Sequence, residues 1–192
     1  KAQRAAAKAR LIADPMGDNI GRADVVIEAI VEKLEVKQNL FKSIEGKLKP
    51  GAILATNTSS IMIEEIAAPL ADPGRLIGIH FFNPVAQMPL VEIVRGAGTR
   101  DDVFTTALGF ARRIDKLPLP CRSAPGFVVN RVLMPYLQEA MLALEEGVPG
   151  ALIDRVVDTA GSLAPHSTTV VVGHGADLVR SHLAGRANTH FV

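Results

Sequence analysis

Short, nearly uninterrupted apolar runs punctuate the chain. They are Ala23-Asp24-Val25-Val26-Ile27-Glu28-Ala29, Ala52-Ile53-Leu54-Ala55-Thr56-Asn57, Leu76-Ile77-Gly78-Ile79 and Leu90-Val91-Glu92-Ile93-Val94. Apolar side chains at successive positions predict strands covered on both faces. Between the first two runs, Leu34, Leu40, Phe41, Ile44 and Leu48 recur at helical spacing, so a helix is expected over residues 32–48, stopped by Lys49-Pro50-Gly51. A second helix is expected over 61–70, with Ser60 as its N-cap. A third starts after Thr99, read as its cap. Its first turn holds Asp101 and Asp102 and its last turn Arg112 and Arg113, an arrangement that suits the helix dipole. Its buried stripe is Val103, Phe104, Ala107, Leu108, Ala111 and Ile114. Leu117-Pro118-Leu119-Pro120-Cys121 reads as an edge strand because of its prolines. The Ala-rich segment 1–12 reads as a helix.

Strands alternating with helices are the pattern of parallel crossovers, so the expected class is α/β. Ligands of such sheets bind beyond the carboxyl ends of the strands. Asn57, Ser59, His80 and Asn83 all fall at such ends, and one crevice would hold them. Pro125-Gly126 marks a boundary. Beyond it, Val129, Leu133, Tyr136, Leu137, Ala140, Met141 and Leu144 predict a long helix over 127–146, kinked at Pro135 and ended by Gly147. A short helix is expected over 151–160. From Gly161 the periodicity stops, and the tail is expected to pack poorly. His166, His174, His182 and His190 recur every eight residues, which fits no metal-ligand spacing.

Composition narrows the function classes. Hydrophobic residues make up 48% of the 192 positions, enough for a real core. A net charge of +1 supplies no field that would draw the chain to nucleic acid or membrane. Lys1, Arg4, Lys8 and Arg10 lack the aromatics of a nucleic-acid surface. No apolar run is long enough for a transmembrane helix, and the N-terminal segment lacks the apolar core of a signal peptide. Cys121 is the only cysteine, so no intrachain disulfide forms and a reducing, cytoplasmic setting is expected, with the thiol as a packing residue.

The chemistry concentrates on His80 and Glu92. His80 stands where one strand ends, and Glu92 lies inside the next, after a turn built on Pro84 and Pro89. A carboxylate beside an imidazole fixes its tautomer and stabilises the imidazolium, which makes His80 a candidate general base. From these two residues alone, a histidine satisfied at a strand end and a glutamate on a solvated sheet face are the more common reading.

Four stretches occur together in order: Ala55-Thr56-Asn57-Thr58-Ser59-Ser60, His80-Phe81-Phe82-Asn83-Pro84, Leu90-Val91-Glu92-Ile93-Val94-Arg95-Gly96 and Pro125-Gly126-Phe127-Val128-Val129-Asn130-Arg131. In this register they resemble L-3-hydroxyacyl-CoA dehydrogenases, in particular the dehydrogenase part of bacterial multifunctional β-oxidation subunits. The resemblance implies NAD-dependent oxidation of an L-3-hydroxyacyl-CoA to the 3-oxoacyl-CoA. It implies that His80 is the base, that Glu92 pairs with it, and that Ser59 and Asn130 hold the substrate oxygen. Glu32, Lys37, Asn57 and Asn83 would correspond to cofactor contacts. The expected division is a partial NAD-binding Rossmann-like domain over 1–122, which lacks its first strands. The start of a helical substrate and dimerisation domain follows over 123–160, then a non-matching tail over 161–192. The parent enzyme would be oligomeric or part of a β-oxidation complex.

Two departures accompany the resemblance. No Gly-x-Gly-x-x-Gly turn occurs in these residues, which would leave the 25–29 strand with an unpaired edge. The sequence after Gly161 departs from the pattern as a shifted reading frame would. The chain therefore reads as incomplete. The alternative is a non-catalytic fragment, or an acyl-CoA or protein-binding module that retains part of the fold.

Overall fold

The apolar runs become strands Val25–Glu28 (β1), Ile53–Thr56 (β2), Leu76–Phe81 (β3), Leu90–Arg95 (β4) and Leu117–Arg122 (β5). The computed structural model describes residues 2–150 and the segments Thr168–Val170 and Thr189–Phe191. The strands lie in one sheet in chain order, β1-β2-β3-β4-β5. β1, β2 and β3 run parallel, β4 is antiparallel to β3, and β5 is parallel to β4. The reversal at β4, across the turn built on Pro84 and Pro89, ends the run of parallel crossovers. Its cause is length: parallel strands need a crossover of about a dozen residues or more, and segment 82–89 is too short to supply one.

Helices cover both faces. On one side, Leu54, Leu76 and Val94 of the sheet pack with Phe41, Ile44, Ile63 and Ile66 of helices Leu34–Glu45 (α2) and Ile63–Ala67 (α3). On the other, Ile53, Ala55, Ile77, Ile79, Val91 and Ile93 pack with Val103, Ala107 and Ala111 of helix Asp101–Arg113 (α4). This double coverage is why the strands read as continuous apolar runs. Strand side chains alternate in direction. His80 therefore shares the α2/α3 side with Leu76 and Gly78, and Glu92 shares it with Val94.

Gly78 shows how tight that side is. A Cβ there would stand 2.7 Å from Val94 Cβ and 3.0 Å from Ile63 Cδ1. The missing side chain lets α3 and β4 close directly over β3.

Four helix starts differ from expectation, and the first is α2, which begins at Leu34 rather than at 32. α3 is shorter than 61–70 and is not capped by Ser60; the Thr58 hydroxyl accepts the Ile61 N–H instead, at 3.0 Å. Thr99 does not cap α4. Its hydroxyl accepts the Gly96 N–H at 3.1 Å and donates to the Leu76 carbonyl at 2.8 Å, so it ties the β4–α4 turn to β3. The long helix Val129–Glu145 (the fifth, α5, counting Ala2–Lys8 as α1) starts two residues late. Gly126 (φ +74°) and Phe127 (φ 47°) both occupy the left-handed region, which a helix cannot use. Pro135 lies inside α5 as expected. Its stripe residues Val129, Leu133, Leu137, Ala140, Met141 and Leu144 are half-buried, and Tyr136 is exposed.

Thr168–Val170 (β6) and Thr189–Phe191 (β7) pair in parallel, and His190 falls in the second. The helix expected over 151–160, His166, His174, His182 and the remainder of the 161–192 tail lie outside the described residues.

Cys121 sits half-buried against the α2/α3 core. Burial, with the negative Glu92 nearby, pushes its thiol pKa up to about 12. At pH 8 the reactive thiolate is then scarce, and alkylation by iodoacetamide should run roughly a thousandfold slower than for a free thiol. Urea should restore the normal rate. A native chain that reacts as fast as free cysteine would show that the thiol is not enclosed. Gly78→Ala should lower stability by about 1–3 kcal/mol through overpacking, read as an earlier urea midpoint. An unchanged midpoint would mean that α3 and β4 do not close on β3.

Candidate active site

The β3–β4 hairpin sets His80 and Glu92 directly opposite each other. His80 Nδ1 lies 2.7 Å from Glu92 Oε2, with His80 7% exposed and Glu92 fully buried. A carboxylate accepts, so the neutral imidazole keeps its proton on Nδ1 and leaves Nε2 with a free lone pair. The ring is confined by Phe82, at 4.7 Å between centroids, and by Phe127, edge-on at 5.7 Å. The left-handed backbone of Phe127 is part of this confinement, because it turns the chain so that the ring stays buried in the core as α5 begins.

Glu92 has a second task. Its Oε1 accepts the backbone N–H groups of Val128 and Val129, both at 2.9 Å. Those are orphan donors at the start of α5, where the helix dipole favours a negative charge. Burial alone would raise the Glu92 pKa. The His80 bond and the two amides more than offset it and hold the carboxyl below the usual carboxylate range.

Around this dyad lie the carboxyl ends of β1, β2 and β3. Asn57 Oδ1 accepts the Phe81 N–H at 2.8 Å, which fixes the β2 end against the β3 end. Thr58, Ser59 and Ser60 curl back toward Glu32. Glu32 Oε1 accepts the Thr58 hydroxyl, the Ser59 N–H at 3.0 Å and the Ser60 hydroxyl at 3.3 Å. Desolvation works against the Glu32 charge, but these donors and Lys37 prevail and lower its pKa. Asn130, in the first turn of α5, brings Nδ2 to 3.5 Å from the Ser59 carbonyl oxygen. Asn83 is exposed in the turn after β3, where the Asn83–Pro84 peptide is cis.

His80 and Glu92 are thus paired, and Ser59 meets Asn130 across the seam to α5. Glu32 and Asn57 flank the β1 and β2 ends. Lys37 is placed differently from a residue that opens on a crevice. Its side chain is 1% exposed, and its ammonium lies 2.7 Å from Glu28 and 3.1 Å from Glu32. Three participants were missed in the sequence: Glu28, Thr58 and the N–H pair at 128–129. Position 37 did carry a signal, since it shares the apolar stripe with Phe41, Ile44 and Leu48, where a lysine needs a buried partner.

This rim suits a dinucleotide's sugar and amide end. Glu32 keeps 37% of its side chain exposed, and a carboxylate matches ribose hydroxyls. The Lys37 cation is held between two carboxylates, so the rim offers a phosphate little.

The family model described as 3-hydroxyacyl-CoA dehydrogenase, NAD binding domain, matches residues 1–124, and that of the C-terminal domain matches residues 126–180. The α subunit of a fatty acid oxidation complex from a Psychrobacter species is 41% identical over 167 residues, 84% of this chain and 23% of that protein. Its counterpart in Pseudomonas aeruginosa is 40% identical over the same lengths. The chain therefore spans about a quarter of the length of these curated relatives. Among solved structures, a (S)-3-hydroxybutyryl-CoA dehydrogenase from Ralstonia eutropha superposes with a TM-score of 0.73 at 40% identity, over 77% of this chain and 52% of that one. A 3-hydroxybutyryl-CoA dehydrogenase from Escherichia coli gives 0.65 at 47% identity, over 67% of this chain and 27% of that one. With family models matched on both sides of the Gly126 turn and the His80–Glu92 dyad at the carboxyl end of the sheet, the chain belongs to the 3-hydroxyacyl-CoA dehydrogenase family.

Proposed function

We propose that this chain carries out the proton-transfer and substrate-holding part of NAD-dependent oxidation of an L-3-hydroxyacyl-CoA to its 3-oxoacyl-CoA. The observation that supports this most is the His80–Glu92 contact of 2.7 Å, with Glu92 fully buried. His80 Nε2 takes the proton of the substrate 3-hydroxyl while the C3–H bond breaks and C3 becomes a carbonyl. Bound NAD supplies the hydride acceptor. Glu92 stabilises the imidazolium that results, because its full charge is already in place. Ser59 and Asn130 hold the reacting oxygen from the two sides of the seam. Glu32 and Asn57 hold the nicotinamide end, with Asn83 at the outer edge. On this reading, residues 1–122 form the cofactor unit, residues 123–160 begin the substrate unit, and the protein works in the cytoplasm within a larger β-oxidation enzyme. The relatives named above as fatty acid oxidation subunits support that setting. Among the described residues no helix is long and apolar enough to cross a membrane.

His80→Gln should leave acyl-CoA affinity near its starting value and cut turnover roughly 10²–10⁴-fold, the usual contribution of a general base. NADH absorbance reads turnover in the protein carrying this chain, and an unchanged rate would reject the mechanism. Glu92→Gln should also slow turnover and lower stability by about 2 kcal/mol, the range of hydrogen bonds to a charged group. Its stability effect has a defined pH window. The folded pKa of Glu92 lies below its ordinary value of 4.5. The stabilisation is therefore fully present above pH 4.5 and is lost as pH falls through the lower, folded value. Urea midpoints of the two proteins should converge as pH falls below 4.5. A difference that stays constant down to pH 3 would contradict the depressed pKa.

A further inference from the structure

Behind the rim lies an ionic network that the proposed chemistry does not use. Glu28 ends β1 with its side chain wholly buried, and Lys37 is 1% exposed. The Lys37 ammonium lies 2.7 Å from Glu28 Oε1, 3.1 Å from Glu32 Oε2 and 3.5 Å from the Ile30 carbonyl oxygen. An ammonium has three donors, and these oxygens take all of them. Glu28 is itself fixed from the loop after β1 and from β2. Its Oε1 accepts the Ile30 N–H at 2.6 Å, and its Oε2 accepts the Thr56 hydroxyl at 2.7 Å. Thr56 Oγ1 in turn accepts the Thr58 N–H at 3.3 Å.

A buried ion pair stabilises a fold poorly, since an apolar pair of similar volume avoids the desolvation of both charges. What this pair supplies is direction. Glu28 is rigid, Lys37 spans from it to Glu32, and Glu32 is the member that reaches solvent, with 37% of its side chain exposed.

We propose that Glu28, acting through the Lys37 ammonium, is a positioning residue that aims the Glu32 carboxylate into the cofactor crevice. This rests on the reading of Glu32 as a cofactor contact. Lys37 then contributes from behind the carboxylate, and Thr58 completes the clamp from the β2 side. Loss of the Glu28 charge frees Lys37 to follow Glu32, so Glu32 stays charged and loses its fixed orientation.

The test measures NADH affinity by fluorescence, 3-oxoacyl-CoA affinity and turnover in the protein carrying this chain, for Glu28→Gln, Glu32→Gln, Lys37→Met and the double variant E28Q/K37M. Lys37→Met leaves Glu28 as an uncompensated buried charge; the double variant has none and serves in its place if the single one does not fold. Glu28→Gln should weaken NADH binding roughly tenfold and leave acyl-CoA affinity and turnover at saturating NAD within about twofold. The double variant should bind NADH no more weakly than Glu32→Gln, because the path through Lys37 is already cut. A purely structural role would instead lower the melting temperature and weaken both ligands together, which would overturn the proposal. If Glu32→Gln weakens NADH binding and Glu28→Gln does not, the positioning role fails and Glu32 keeps its assignment. If Glu32→Gln has no effect, the cofactor reading of Glu32 fails, and the positioning role fails with it.

Discussion

A single buried carboxylate joins the two parts of this chain. Glu92 gives one oxygen to His80 and the other to two amides at the start of α5. A buried glutamate with only one of these partners would be under-satisfied, and its charge would be costly to keep. With both, every strong interaction of the carboxylate is spent on the seam between sheet and helix. The orientation of the imidazole and the docking of the helix that carries Asn130 are thereby set by the same group. Disturbing either side of the seam should therefore be felt on the other.

The rim around that seam shows the same economy. Glu28, Lys37 and Glu32 carry formal charges, yet each faces an opposite charge or a set of donors. The first three strands point their carboxyl ends toward one edge, which gathers Glu28 at the end of β1, Thr56 at the end of β2 with Asn57 just beyond it, and His80 near the end of β3. Parallel pairing brings about this convergence, because it places like ends of successive strands side by side. The antiparallel β4 then returns Glu92 to the same edge from the opposite direction.

Much of this was legible in the sequence. The strands, the two-sided burial and the place of His80 follow from continuous apolar runs with a polar residue at their ends. The reversal at β4 was also readable, since a link of residues 82–89 cannot hold a crossover. What the sequence could not give was the fate of small polar side chains. Ser60 and Thr99 have the right type and position for helix caps, yet tertiary partners took both. Ser60 donates to Glu32, and Thr99 bridges to Leu76. Capping is worth about 1 kcal/mol, so a competing bond of similar strength decides the outcome. Lys37 was hidden for a related reason. Periodicity marks position 37 as inward, but the acids that receive the lysine come from β1 and the loop after it.

The hairpin that carries the dyad also bears on the order of events as the chain folds. His80 and Glu92 belong to strands joined by a short link, so their contact closes a small loop and costs little chain entropy. Contacts between neighbouring segments generally precede pairings between distant ones. The dyad can therefore be assembled before β1 and β2 have docked and before α5 has any surface to dock on. Glu92 then waits with one oxygen unoccupied. The arrival of the Val128 and Val129 amides fills it, so the helix that completes the pocket is recruited by the pair it will serve.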